Sequence, residues 1–439
     1  MRIFRPRPLS LAVSMLCVCA STAFAVDIRN LEAVGGNQTQ QSVGVFIDDW
    51  LTDNASFANA GGLEQELFEL CADYANIVGA ATTDAEINDA LSLLSFVTNE
   101  EVAAIGSGLT DTGHDQTVSV LGRLQSLRAG IPNVASINGL GSSSGGAAGS
   151  DFSRLSFYAN SSFGDGDKDE TVNEQGFDFD SEALTLGVDY RFTDNIIGGV
   201  ALGFGSSDVE IDNDSGDTES DTVSLTFYGS YYEDGWYVDA SLGFAEYDYD
   251  SERNLPVATL GLLTAGLLLD QNLQSSTDGD SVSWSIGGGF TQNLKGWNAN
   301  YSLRLDGVDA TVDGYTESGG SLALRVGDQN VESLQAVLGA QFSKAFSQKW
   351  GVISPYAGIE IHQEFDDETR VVTAQYLFDS ANNQFSFSSD DADDSYFLVS
   401  VGASVVLTQG AQLFVNLDHL AGLDDVDSNT FTAGVRFEF

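Results

Sequence analysis

The second part of the chain alternates apolar and polar residues in short stretches that recur at regular intervals. In residues 236–247, for example, Trp236, Val238 and Leu242 share one face of an extended chain, and polar residues occupy much of the other. Stretches with this period lie at 154–163, 183–192, 196–210, 222–232, 236–247, 281–291, 297–305, 333–342, 352–364, 395–407, 411–418 and 429–439. The pattern predicts twelve antiparallel strands.

Short and long connections alternate between these strands. The long, acidic ones lie at 164–180, 211–221, 250–280, 306–332, 365–394 and 419–428. This alternation is typical of outer-membrane barrels, which have short periplasmic turns and longer external loops, whereas a soluble sandwich mixes loop lengths at both ends. The predicted fold class is an all-β transmembrane barrel of 12 antiparallel strands, preceded by a small, mainly α-helical segment. Residues 371–388 could instead extend the fifth loop as a hairpin or add a strand pair, which would make fourteen strands.

Charged residues within the predicted strands fall on the polar face. An arginine facing lipid near the bilayer midplane costs roughly 2–4 kcal/mol, so the polar face is expected to line the lumen. The predicted lumen residues are Arg154, Arg191, Arg304, Arg436, Asp189, Asp239, Glu360 and His362. Aromatic residues gather at the short-turn ends, where an interfacial girdle would lie. They are Tyr190, Phe192, Tyr231, Tyr232, Trp236, Trp297 and Trp350.

The part of the chain before the strands has helical spacing. Val43, Phe46 and Trp50 recur with this period, and Thr83-x-x-Glu86 is a capping-box pattern. Further apolar stripes predict helices around Leu63 to Tyr74 and over residues 115–128, and Thr98-x-x-Glu101 repeats the capping pattern. We expect a helical passenger or N-terminal segment at 26–129, a Gly/Ser-rich linker at 130–150 and a barrel domain at 151–439.

The first 25 residues resemble an export signal. Arg2, Arg5 and Arg7 precede an apolar run, and Ala23-Phe24-Ala25 has the small-x-small form of a cleavage site. We expect Sec-dependent export and removal of residues 1–25. Cys71 is then the remaining cysteine, so no disulfide within the chain is expected.

Charge excludes one class of partner. Loss of three arginines with the signal leaves 14 basic against 65 acidic residues, a formal net charge of −51. Nucleic-acid binding needs a basic surface, so it is not expected. No run of 18 apolar residues follows the signal, which excludes a helical membrane protein.

Candidate catalytic residues are few. Cys71 lies on an apolar helical stripe and is expected to be a core residue, and His114 lies in a polar turn. His362 shares its face with Glu360 and Glu364, which could form an acid/base set or fill the lumen with ion pairs. We therefore expect no enzyme, no metal and no cofactor; self-cleavage of the passenger stays open as an alternative.

Three tracts carry a resemblance to a known family. DGYTESGGSLALRVGDQNVESLQAVLG at 313–339, SPYAGIEIHQEF at 354–365 and the closing FTAGVRFEF resemble the translocator domain of autotransporters, the type V secretion proteins. The resemblance implies a barrel in the outer membrane of a Gram-negative bacterium that anchors its own short N-terminal segment and carries it to the cell surface.

The same resemblance implies partners and a site. The terminal strand, with Val435, Phe437 and Phe439, would be read by the barrel-assembly machinery, and the barrel would contact outer-membrane lipid as a monomer. The family usually threads an α-helix through the pore before the first strand; here the nearest helix is 115–128, and a linker intervenes. The alternatives are a porin-like or adhesin-like barrel with no secretion role.

Overall fold

The computed structural model describes residues 26–34, 38–59, 62–81, 83, 86–87, 91, 120, 122, 124, 154–171, 174–255, 271–366, 370–379, 383–389, 395–408, 411–423 and 425–438. The predicted signal peptide, the Gly/Ser-rich linker, the Thr98 capping pattern, His114 and Phe439 lie outside these residues.

The described part of the chain contains a closed barrel of twelve antiparallel strands. In chain order the strands are β1 (Leu155–Lys168), β2 (Phe177–Arg191), β3 (Ile196–Ile211), β4 (Gly216–Glu233), β5 (Trp236–Leu255), β6 (Gln271–Leu294), β7 (Trp297–Val312), β8 (Tyr315–Thr316), β9 (Leu324–Val326), β10 (Gln329–Ser343), β11 (Phe346–Gln348), β12 (Gly351–Glu364), β13 (Val371–Tyr376), β14 (Phe385–Ser388), β15 (Ser395–Leu407), β16 (Gln412–Ala421) and β17 (Val426–Glu438). The barrel consists of β1–β7, β10, β12 and β15–β17, and the short β11 pairs with β12 beside one turn. The predicted fold class is confirmed.

Pairing of the first and last strands closes the barrel. β1 and β17 are antiparallel from Ser156 opposite Glu438 to Lys168 opposite Val426. Each wall strand therefore has a partner on both sides. A barrel without an open edge satisfies its backbone groups internally, as hydrocarbon requires.

The side chains of the wall separate by face. Leu186, Leu242, Val401 and Phe437 point outward and are 42–49% exposed, while many of the neighbours with opposite parity are buried serines and threonines. The predicted girdle residues are exposed at the short-turn end with one exception. Tyr232 is half-buried and packs against inward-facing residues, because it follows the outward Tyr231 and so has the opposite parity.

The prediction of long acidic loops was wrong at several places. β5 and β6 continue well beyond the apolar band, and the connection between them shrinks from the predicted 250–280 to 256–270. Here Glu246, Asp248 and Asp250 occupy the outward positions. A strand whose outer face meets water needs no apolar alternation, so the hydrophobic pattern ended before the strand did.

Glycines let large lumenal rings lie flat against the wall. The Tyr228 ring covers Gly199 on β3, where an added Cβ would come within 2.4 Å of it. Tyr237 covers Gly289 on β6 in the same way, at 2.3 Å. A side chain at either glycine would displace a ring, so these positions fix where lumenal tyrosines lie.

A second, four-stranded sheet stands at the long-connection end. Its order is β14-β13-β9-β8, and it is separate from the barrel wall. The predicted segment 371–388 supplies the β13–β14 hairpin of this sheet. It is therefore a loop extension, and the barrel has twelve strands rather than fourteen.

Two helices of the N-terminal segment pack on this external sheet. They are α1 (Gln38–Asp53) and α2 (Leu63–Ala80), with short 3-10 turns at Leu31–Val34 and Ala55–Asn59. No helix in the described ranges has the length and apolarity that a membrane-spanning helix requires.

Two details of the helical predictions are confirmed. The Thr83 capping box forms in both directions: the Thr83 amide donates to Glu86 Oε2 at 3.1 Å, and the Glu86 amide donates to Thr83 Oγ1 at 3.3 Å. Cys71 is 4% exposed and lies in the apolar core, where burial raises the pKa of its thiol. A thiol in this environment stays protonated and unreactive.

Candidate functional site in the barrel lumen

Arg304 is the centre of an ion network on the inner wall. Its Nε lies 2.7 Å from Asp306 Oδ2 on the same strand, β7, and its Nη1 lies 2.8 Å from Glu360 Oε2 on β12. The strand between them, β10, places Val337 opposite Arg304 and Gly339 opposite Glu360, so this ion pair runs diagonally across β10. Ser285 Oγ on β6 donates to Asp306 Oδ1 at 2.6 Å. The buried cation thus has two carboxylate partners, as burial of a charge requires.

His362 extends this network towards β15. Its Nδ1 lies 3.1 Å from Gln335 Oε1, which also accepts from Tyr396 Oη at 3.0 Å. Since a carbonyl oxygen can only accept, Nδ1 is the donor. The His362 and Tyr396 rings stack at 4.4 Å, and Nε2 lies 3.5 Å from Glu360 Oε2. The network therefore ties together five adjacent strands, β6, β7, β10, β12 and β15.

Other predicted lumen residues lie elsewhere on the wall. Asp189 is 2% exposed and accepts hydrogen bonds from Ser156 and Tyr228. Arg436 is buried and donates to Gln412 Oε1 at 3.2 Å, and Asp239 is buried on β5. The remaining two, Arg154 and Arg191, lie at the short-turn end, exposed and half-buried respectively.

Sequence reasoning missed several members of the lumen network. Asp306 has the parity of Arg304, but it was assigned to a loop because the apolar alternation weakens there. Gln335 and Tyr396 are uncharged, and a search for charged residues passed over them. Continuing the alternation of inward and outward positions beyond the apolar band would have identified all three residues as lumenal.

A short helical piece of the N-terminal segment lies inside the barrel. Val120, Gly122 and Leu124 are helical, and Val120 and Leu124 are 0% exposed. They pack on inward-facing residues of β1, β3 and β4. These are Tyr158, Ile197, Ala201 and Tyr228.

This seat lies close to the short-turn end of the barrel. Ile197 is the second residue of β3, directly after the turn at 192–195. The sequence left open whether the helix predicted at 115–128 enters the lumen. Its described residues do.

The segment therefore touches the barrel at both ends. Leu91 belongs to the apolar cluster at the long-connection end, with Leu255 and Leu273 of β5 and β6. Val120 lies in the lumen near the other end. The described contacts place Leu91 at the long-connection end and Val120 inside the lumen, towards the short-turn end.

These features define a class of protein. A twelve-stranded barrel with an apolar outer band, an ion-paired lumen and a helical segment seated inside is an outer-membrane barrel that holds part of its own chain. The chain belongs to the autotransporter β-domain family, whose model matches residues 157–418. It is accordingly a protein of the Gram-negative outer membrane.

A solved structure supports the fold. The translocator domain of the autotransporter NalP from Neisseria meningitidis superposes with a TM-score of 0.51 at 15% identity, covering 74% of this chain and 98% of that domain. At this identity the likeness concerns the fold alone.

Two curated relatives correct one expectation. Lipase 1 of Photorhabdus luminescens is 26% identical over 269 residues, and Esterase EstA of Pseudomonas aeruginosa is 27% identical over 276 residues. Each alignment covers 59% of this chain, which spans only about two fifths of the relatives' length, 38% and 41%. Because these relatives carry the names of hydrolases, the prediction that the chain is not an enzyme was wrong.

The expected absence of a metal or cofactor stays a prediction. Among the residues that the structure describes, no group of three or more His, Cys, Asp and Glu is placed to hold a metal ion.

Removal of one carboxylate should weaken the lumen network. We expect Glu360→Gln to destabilise the folded barrel by about 1–3 kcal/mol, because Arg304 then loses one of two charged partners while Glu360 itself is partly exposed. Urea unfolding in detergent, followed by tryptophan fluorescence, measures the change. Glu332→Gln, at an exposed position on β10, is the matched control. Equal midpoints for both variants would refute a stabilising network.

Displacement of the lumenal helix should open the barrel. Leu124→Asp places a carboxylate against the apolar seat, which disfavours docking. We expect larger or more frequent conductance steps in planar bilayers than with the native chain. Gly122→Asp is the control, because a Cβ added there meets no atom of the described residues within 4 Å. Identical conductance for the native chain and Leu124→Asp would contradict a seated plug.

Proposed function

We propose that the barrel anchors its own N-terminal segment in the outer membrane and carries it to the cell surface. The observation that carries this proposal is the pair of contacts at opposite ends of the barrel, one at the long connections and one in the lumen. These two contacts support passage of the segment through the lumen, and family membership supports the direction of that passage. In such barrels the long connections face the outside.

Assembly follows from the same proposal. Sec-dependent export delivers the chain to the periplasm, and the barrel-assembly machinery inserts it as a monomer into outer-membrane lipid. Val435 and Phe437 supply the outward face of β17 for recognition, and Phe437 is 49% exposed. Phe439 would continue this face, although it lies beyond the described residues.

Ester hydrolysis is a second candidate function. The names of the relatives favour it, and no residue is assigned to it. Purified, folded full-length protein should release p-nitrophenol from short- or long-chain acyl esters faster than the same protein after denaturation. If the two rates are equal across chain lengths, ester hydrolysis is excluded for these substrates.

Labelling of intact cells tests surface display. Thr52 is exposed at the end of α1, and Asp194 is exposed in a short turn. With a membrane-impermeant maleimide we expect Thr52→Cys to be labelled on intact cells, and Asp194→Cys to be labelled after the outer membrane is permeabilised. The buried Cys71 gives little background.

The opposite pattern would overturn the proposal. Labelling of Asp194→Cys on intact cells, with Thr52→Cys protected until permeabilisation, would place the helices in the periplasm. An adhesin-like or porin-like barrel without secretion would then be the better description.

A further inference from the structure

We infer that the described residues between Leu31 and Leu91 form a permanent cap on the barrel, held by the external sheet, rather than a passenger that folds separately and is released. The inference deepens the proposed function, on which it rests for the side of the membrane. The inference rests on one hydrophobic core that the helices α1 and α2 share with the external sheet. Non-covalent contacts would hold the N-terminal segment on the barrel even if the chain between the two were cleaved.

Aromatic rings form the centre of this core. Phe46 on α1 lies 5.1 Å from the Tyr376 ring on β13 and 5.3 Å from the Phe385 ring on β14. Tyr376 and Phe385 also pack on each other at 5.3 Å. Trp50 continues the stack on the helical side, 6.0 Å from Phe68. Rings at these separations attract each other beyond the area they bury.

Both sides contribute about equally to the buried cluster. The helical segment supplies Leu31, Val43, Phe46, Ile47, Trp50, Leu67, Phe68, Cys71, Tyr74, Ile77, Val78 and Leu91. The barrel and its loops supply Leu255, Leu273, Tyr315, Leu322, Ala323, Leu324, Val326, Val372, Ala374, Tyr376 and Phe385. Trp50 and Tyr376 are 0% exposed. Undocking would bring this apolar surface into water, which is the dominant cost of opening a protein core.

Polar contacts fix the orientation of the helices. The Ser386 amide on β14 donates to Ser42 Oγ on α1 at 3.0 Å. Glu66 on α2 accepts from Ser321 Oγ at 3.1 Å and from Gln271 Nε2 at 3.3 Å. These bonds connect α2 to the start of β6 and to the loop before β9. They add specificity to a contact that the apolar cluster stabilises.

A buried ion pair connects the external sheet, on which the cap packs, to the barrel wall. Arg253 on β5 makes a bidentate pair with Glu317, Nε to Oε1 at 2.9 Å and Nη2 to Oε2 at 2.6 Å. Arg253 also donates to the Leu322 carbonyl at 3.1 Å, and Glu317 accepts from the Leu324 amide at 2.8 Å. Both side chains are 3% exposed. The external sheet is thereby fixed to the barrel wall, and so are the helices on it.

Cys71 provides a native probe of this contact. It lies on α2 within the shared core, and burial raises the pKa of its thiol. A separately folded passenger would protect Cys71 regardless of the loops. A cap would protect it only while the external sheet is in place.

The experiment measures alkylation of Cys71 by iodoacetamide in the purified full-length chain in detergent. We expect Phe385→Ala, a substitution on the loop side, to raise the rate at least ten-fold. Thr373→Ala, at an exposed position of the same hairpin, should leave it unchanged. Heat-dependent mobility on gels verifies that each barrel is folded. An equal rate for Phe385→Ala and the native chain would overturn the cap.

A disulfide gives an independent reading. Ser42→Cys with Ser386→Cys joins α1 to β14 where the two already touch. We expect this double variant to cross-link within one chain on mild oxidation in outer membranes. Failure to cross-link, with both cysteines open to maleimide, would contradict docking.

Neither experiment depends on the side of the membrane. A docked cap that cells do not display would refute the proposed function and leave this inference standing. If the segment is displayed but Phe385→Ala does not change the alkylation rate of Cys71, the proposed function stands and this inference is refuted.

Discussion

Backbone pairing is the constraint on which the rest of this structure depends. A strand that crosses hydrocarbon has no water to satisfy its amides, so each wall strand needs a partner on both sides. The β1–β17 seam supplies the last of these partners over 13 residue pairs. Closure then fixes parity around the whole ring, because a one-residue slip would exchange the inner and outer faces. The outward leucines, the lumenal charges and the seat of the helix all follow from that register.

Two of the few basic residues pair with buried carboxylates. Arg304 neutralises carboxylates inside the wall, and Arg253 anchors the external sheet. Among the residues that the structure describes, most acidic side chains are not buried, as on the outward positions of β5 around Asp248. The excess negative charge therefore lies outside both the apolar outer band of the barrel and the hydrophobic core that the cap shares with the external sheet. It affects solubility and counter-ions at the surface instead.

The sequence predicts the barrel well because its signal is periodic and local. The alternation of apolar and polar residues around Leu242 and Phe437 is enough to predict that both side chains face outward. The extended part of β5 was missed because, with Glu246 and Asp248 facing water, no apolar face distinguishes strand from loop. The cap was missed for a different reason. The contact of Phe46 with Phe385 joins residues more than 300 positions apart, and no local pattern encodes it.

The central claim is that the outward face of the barrel meets lipid, and one fluorescence measurement tests it directly. Trp284 is 39% exposed on the outward face of β6, whereas Trp50 is 0% exposed in the cap. Single-tryptophan variants retaining one or the other can be folded into vesicles of phosphatidylcholine with brominated acyl chains. The account predicts strong quenching of Trp284 and little of Trp50. Unquenched Trp284 emission in folded protein would contradict it.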